Sequence, residues 1–181
     1  NKNSNGKYEL TLKGKEYANR YDDEHFVLEK QPKVTVSVIG VRQDNNKTYY
    51  LMQKRLKHPF FGYMGVVSGK VRFGETVTET AARELMEEAG LKGNIELVGI
   101  EHKMDYDKSN QILDDKIFFV FRASELTGTL INQFKGGENL WVEKSEIASL
   151  ENLFDDILQI IELTDSPKLK FLENKFIVNK F

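Results

Sequence analysis

Glu84, Glu87 and Glu88 stand at i, i+3 and i+4 in a run of strong helix formers, a spacing that places three carboxylates on one helical face. Like charges set so close destabilise a bare helix by roughly 0.2 to 0.5 kcal/mol per neighbouring pair, so a cation is expected among them. Oxygen donors of this kind suit Mg²⁺ or Mn²⁺. Softer metals prefer sulfur and imidazole, which are absent from the surrounding stretch, residues 69–91, GKVRFGETVTETAARELMEEAGL. The chemistry to expect from such a cluster is that of a cation beside a phosphate, neutralising charge and lowering the pKa of water.

The element that must carry these residues is a helix over 77–89, with Thr76 or Thr78 as N-cap and Gly90 as a left-handed stop. Ala81, Ala82, Leu85 and Ala89 fall on another face and are expected to pack inward. Glu75 precedes the helix and Arg83 lies within it. An ion pair between them is expected to clamp the 69–75 loop against the helix.

The remaining elements read as a scaffold. Residues 33–42, KVTVSVIGVR, form a β-branched run suited to a buried central strand, and residues 48–55 return as its hairpin partner after the turn Asp44-Asn45-Asn46-Lys47. Lys54, Arg55, Lys57 and His58 cluster at the end of that hairpin, where they serve either as phosphate ligands, Arg55 foremost, or as a solvated strand end. Strands are expected over 95–101 and 116–122, joined by a polar 105–115 loop with the length of a lid. Residues 138–142 lead to a last helical region in which Ile147, Leu150, Leu153, Phe154, Ile157, Leu158 and Ile161 recur at core spacing. The Lys-rich, aromatic tail over 168–181 reads as a terminal strand or packing arm ahead of a nucleic-acid contact.

Gly69, five residues, Glu75, seven residues, then Arg83-Glu84-Leu85, Met86, Glu87-Glu88, Ala89 and Gly90-Leu91 match every fixed position of the Nudix box. At residue usages of about 5 to 7% this coincidence arises by chance on the order of once in 10⁷ chains. The segment therefore resembles the Nudix hydrolases, and the likeness extends over residues 33–163. It implies an α/β fold, the α/β/α sandwich with a mixed sheet, and metal-dependent hydrolysis of a nucleoside diphosphate linked to another moiety. By motif position, Glu84, Glu87 and Glu88 would hold Mg²⁺ or Mn²⁺ with the main-chain carbonyl of Ser68. Glu84 is the first choice for the base that activates water. Glu138 is the loop carboxylate that would replace it, ahead of Asp114 and Asp115, while Gly69, Glu75, Arg83 and Gly90 support the motif. The chain departs from the family where Val67-Ser68-Gly69 stands in place of Pro-Gly-Gly.

Composition bounds the other readings. The chain has 181 residues, 40% hydrophobic and 30% charged, with a formal net charge of -2. That suits one domain of ordinary size, residues 31–181, plus an appendage over 1–30. Without cysteine there is neither a disulfide framework nor a thiol nucleophile, and a reducing cytoplasm is the expected setting. No run reaches the roughly 18 apolar residues of a membrane span, and the balanced charge argues against nonspecific nucleic-acid binding. Residues 1–6 are turn-like, 8–12 alternate weakly as a strand, and 13–23 read as a short helix. Residues 8–22, YELTLKGKEYANRYD, resemble the wing and final helix of a winged-helix domain, and a start at Asn1 rather than Met leaves room for an upstream segment. The competing function is thus a Nudix-like sensing domain of a winged-helix regulator, with DNA as a partner only through such a preceding domain. Association as a homodimer stays open.

Overall fold

The structure is a computed structural model that describes residues 7–18, 20–22, 27–28 and 30–178. The turn expected over residues 1–6, the helix end at residue 23 and residues 179–181 of the tail lie outside the described residues. The chain divides into two compact units, Asn1–Gln31 and Pro32–Phe181.

In the first unit α1 (Leu12–Ala18) precedes β1 (Tyr21–Asp22), which pairs antiparallel with β2 (Val27–Leu28). The strand expected over residues 8–12 does not form: Tyr8 makes only an isolated bridge, residues 9–11 have no regular structure, and the helix begins at Leu12. Thr11 explains this, because its hydroxyl accepts from Gly14 N at 3.0 Å and its carbonyl from Lys15 N at 2.8 Å, opening a helical turn where the strand was expected.

The second unit is built on β3 (Lys33–Asp44), buried from Thr35 to Val41 because its β-branched residues meet a packed layer on each face. The other strands are β4 (Lys47–Arg55), β5 (Met64–Gly65), β6 (Val67–Lys70), β7 (Leu91–Tyr106), β8 (Ile112–Gly128), β9 (Gln133–Phe134), β10 (Gly137–Glu143) and β11 (Lys170–Ile177). Among the described residues they form a nine-stranded sheet with the spatial order β11-β7-β8-β3-β4-β10-β9, β5 pairing with β4 and β6 with β3. The sheet is mixed, since β3 runs parallel to β8 and β11 parallel to β7 while the other pairings are antiparallel. Helix α2 (Val77–Ala89) covers one face, where Ala81, Leu85 and Ala89 pack on Val36, Val38, Leu51, Val67 and Phe121. On the other face Ile147, from a 3₁₀ turn at Lys144–Ser149, and Ile157, Ile160, Ile161 and Leu163, around α3 (Ile157–Leu163), pack on Ile39, Val41, Tyr50 and Val120. This is the α/β sandwich with a mixed sheet that the sequence implies.

Three expectations are corrected. Ala82 is exposed, because the inward stripe of α2 is filled by residues 81, 85 and 89. The last helical region is interrupted: Asn152 accepts from Met64 N at 2.9 Å and Phe154 donates to Met64 O at 3.0 Å, so this stretch braces β5 instead of continuing a helix, and Leu158 is left 44% exposed. The 105–115 loop is a tight turn. Asp107 closes it by accepting from Ser109 N and Gln111 N, each at 2.8 Å, and β7 and β8 extend almost to its tip.

Asp105 and Asp114, at the ends of that stretch, belong instead to the ladder and are buried in it, among other charged residues. Asp114 accepts from Lys33 at 2.7 Å and lies 2.6 Å from Lys116, while Lys103 donates to Asp156 at 2.7 Å. Glu101 is fully buried on β7 and is bound by Asn174 of β11 at 2.7 Å. Burial first, and then the neighbouring Asp156, pushes its carboxyl up to about 7. The folded protein therefore holds a proton there, between the ordinary carboxyl range and pH 7, that the unfolded chain has released, and stability falls as pH rises through that window. Glu101→Gln keeps the oxygen that accepts from Asn174 and removes the titration. Its melting temperature relative to the parent should rise by several degrees from pH 5 to pH 8, a shift that paired thermal melts would read.

Candidate active site

The 13 residues of α2 are held at both ends by local chemistry. Thr76 accepts from Glu79 N, and Glu79 accepts from Thr76 N at 2.8 Å, completing a capping box, while Gly90 takes φ 71 at the C-cap. These caps fix the register in which Glu84, Glu87 and Glu88 face out from the helix.

Arg83 organises the cluster. Its Nε and Nη2 donate to the two oxygens of Glu75 at 2.8 and 2.9 Å, a bidentate pair that ties the loop to the helix. Its reach exceeds the single partner expected from sequence. Nη1 donates to Glu84 and to Glu87, the latter at 3.2 Å, and Nη2 also donates to the carbonyl of Lys70 at 3.3 Å. Glu75 is held down to about 2, chiefly by the Arg83 guanidinium and further by the Thr80 hydroxyl. Arg72 adds a second cation on Glu87 at 3.2 Å. Part of the repulsion expected among the three glutamates is thus relieved by side chains of the protein itself.

Glu84 is 9% exposed and lies directly against β6. A Cβ placed on Gly69 would fall 2.0 Å from its carboxylate, so the glycine is required by close approach of the side chain. Ser68, beside it, pairs with Ser37 of β3 and lines the same cleft as Glu88. Glu88 accepts from Gln53 of β4 at 3.1 Å, and its carboxyl is raised, first by burial and further by Glu84, with Lys57 and Arg55 opposing. The carbonyl of Glu88 accepts from Asn139 of β10 at 2.7 Å. Gln53, Lys57 and Asn139 therefore belong to the site's framework. Of these, only Lys57 carried a sequence signal.

The same cleft carries cations. Arg55 and Lys57 line it with Phe134 and Phe154, and burial lowers the Arg55 guanidinium from its ordinary range. His58 stacks on Phe61 with ring centroids 5.7 Å apart and is not part of the lining. Glu138 sits on β10, where its carboxylate accepts from Gln133 at 3.2 Å, and it does not line the cleft either. Asp114 is engaged by two lysines, and Asp115 lies 2.9 Å from His102. The all-oxygen donor set around Glu84 and Glu88 fits a hard divalent cation, whose charge would relieve the burial of Glu88. It is not a ready-made cage, since among the described residues no three carboxylates or imidazoles converge on one point.

A family model described as the NUDIX domain matches residues 31–163. An ADP-ribose pyrophosphatase of Methanocaldococcus jannaschii is 30% identical over 175 residues, 94% of this chain and 88% of that protein. Among solved structures, the MutT protein of Bacillus halodurans is 26% identical with TM-score 0.67, covering 80% of this chain and 90% of that one. The NUDIX domain of Shewanella oneidensis NrtR, crystallised with ADP ribose, is 21% identical with TM-score 0.65 and covers 86% of this chain and 97% of that one.

The approach of Glu84 to β6 makes Gly69 a sensitive position. Gly69→Ala should lower the melting temperature of the parent by several degrees, yet cost far less in a Glu84→Ala background, where the clashing carboxylate is gone. A double-mutant cycle from denaturant unfolding measures this, and effects that add to within about 0.5 kcal/mol would contradict it.

Proposed function

The chain belongs to the NUDIX domain family of hydrolases, and on that premise we propose that it cleaves the diphosphate bond of a nucleoside diphosphate sugar of the ADP-ribose type with the help of Mg²⁺ or Mn²⁺. The observation that carries this reading is the cleft itself, which brings the half-buried carboxylate of Glu88, with Glu84 one turn earlier on the helix, together with the cations Arg55 and Lys57. A diphosphate is the group that such a combination accommodates, bound directly by the cations and through a metal by the carboxylates. The name of the M. jannaschii relative supports the choice of sugar.

Glu84, Glu87, Glu88 and the Ser68 carbonyl would hold the divalent cation, which supplies charge neutralisation and a more acidic water when bound. Arg55 and Lys57 orient the two phosphates. Glu84 takes the proton of the attacking water, whose oxygen bonds to one phosphorus as the bond from that phosphorus to the bridging oxygen breaks. The second phosphate leaves with its substituent, and Arg55 offsets the charge that develops there. Glu138, whose carboxylate accepts from Gln133, is the alternative base. Arg83, shared among three carboxylates, is a positioning residue, since its donors are spent on Glu75, Glu84, Glu87 and Lys70.

Phosphate release from ADP-ribose, coupled to a phosphatase, tests the proposal. Activity is expected only with added divalent cation and should vanish in excess chelator. Glu84→Gln and Glu88→Gln should each lower kcat by on the order of 10²-fold or more, because loss of a charged ligand forfeits both metal binding and water activation. Their metal-free melting temperatures should stay near that of the parent. Near-parental kcat at saturating Mg²⁺ in either variant would refute the assignment, and tight binding without turnover in the parent would favour the sensing domain of a regulator.

A further inference from the structure

Behind Arg55 and Ser68 the cleft continues, on the α3 side of the sheet, into a cavity whose apolar walls include Phe60, Phe118 and Phe154 and whose floor carries Lys103, Asp105 and Lys116. The same Arg55, Ser68 and Phe154 line both compartments, so a molecule whose diphosphate lies at Glu88 can place one end here. Aromatic walls favour a flat ring over a puckered sugar.

The floor is not balanced. Lys103 is spent on Asp156 at 2.7 Å, and Lys116 on Asp114 at 2.6 Å. Asp105 is only 4% exposed, and its Oδ1 is buried with no hydrogen-bond partner. A buried acceptor without a donor is a standing cost to the fold, and it is retained here at the one floor position with no cation committed to it. Burial, ahead of every charge around it, raises the Asp105 carboxyl, the mark of an oxygen that lacks donors. Glu101 Oε2 is also unpartnered, but Glu101 does not line the cavity.

We infer that Asp105 is a specificity residue that accepts a hydrogen bond from an exocyclic amino group on the base of the substrate, so that the protein selects amine-bearing bases over their amine-free counterparts. The inference rests on the proposed diphosphate substrate and names which part of it is read. Phosphate oxygens cannot fill this role, since they are acceptors themselves. A base amine lies in the plane of its ring and donates at the edge of that ring, and Asp105 is among the residues that line the cavity.

Calorimetric binding, measured without metal so that turnover does not intervene, tests it on three matched pairs of nucleoside diphosphate riboses: adenine against unsubstituted purine, guanine against hypoxanthine, and cytosine against uracil. In the pair that binds most tightly, the amine-bearing member should bind at least about tenfold tighter. Asp105→Ala should bring that ratio to within about twofold while leaving the amine-free member little changed, and Asp105→Asn, which keeps an acceptor oxygen and the side-chain shape, should retain part of it. A parental ratio near one, a ratio that survives Asp105→Ala, or failure of every member to bind would overturn the inference. Phosphate release on the same ligands separates the two claims. Amine-selective binding without cleavage refutes the hydrolase and leaves the role of Asp105 standing, whereas cleavage indifferent to the amine does the reverse.

Discussion

The guanidinium of Arg83 is the contact on which the site depends. It is bound to Glu75 in the loop, to Glu84 and Glu87 on the helix and to the carbonyl of Lys70 at the end of β6. Three carboxylates along one helix face repel, and a single planar cation with its donors in a fixed fork holds two of them while fastening the loop. The arrangement puts Glu84 so near the backbone of Gly69 that a side chain there has no room. Loop, strand and helix are thereby locked as one unit, which is what a site needs when it must hold several oxygens at fixed separations.

The second constraint is the position of β3. Its alternate residues serve opposite layers, with Val36 and Val38 packed under α2 and Ile39 and Val41 under the α3 side. Ser37, between the two valines, faces the deep cavity. One strand therefore supports the acidic helix on one face and the deep cavity on the other. Gly65 of β5, Ser68 of β6 and Val66 between them line both the cleft at Glu88 and the cavity behind it.

Buried charge is concentrated on β7 and β8, and it is nearly all paired. Lysine and aspartate partners at 2.6 to 2.7 Å satisfy one another, and the aromatic rings of Phe154 and Phe176 lie 5.1 and 5.3 Å from the Lys103 ammonium. Against that background the unpaired oxygens of Glu101 and Asp105 stand out. Glu101 meets its burial by holding a proton, and Asp105 faces the cavity, where a ligand can supply a donor.

What the sequence determined by itself is local. The bounds of α2, a cap at Thr76 or Thr78, of which the structure uses Thr76, the left-handed stop at Gly90 and the Glu75–Arg83 pair follow from spacings of a few residues, within the range over which helical periodicity and capping act. The β-branched run of β3 likewise declares a doubly buried strand. Tertiary structure decided whatever depends on partners far along the chain. Asp105 and Asp114 read as loop residues until Lys33 of β3, with Lys116 two residues on in β8, neutralises Asp114 and the ladder takes both in. Asn139 and Gln53 join the site only because β10 and β4 bring them to Glu88. Glu138, next to Asn139, points elsewhere because neighbouring residues on a strand face opposite sides of the sheet. A local pattern states which residues are polar, but whether a polar residue ends in solvent, in an ion pair or against a ligand depends on which distant segment lies opposite it.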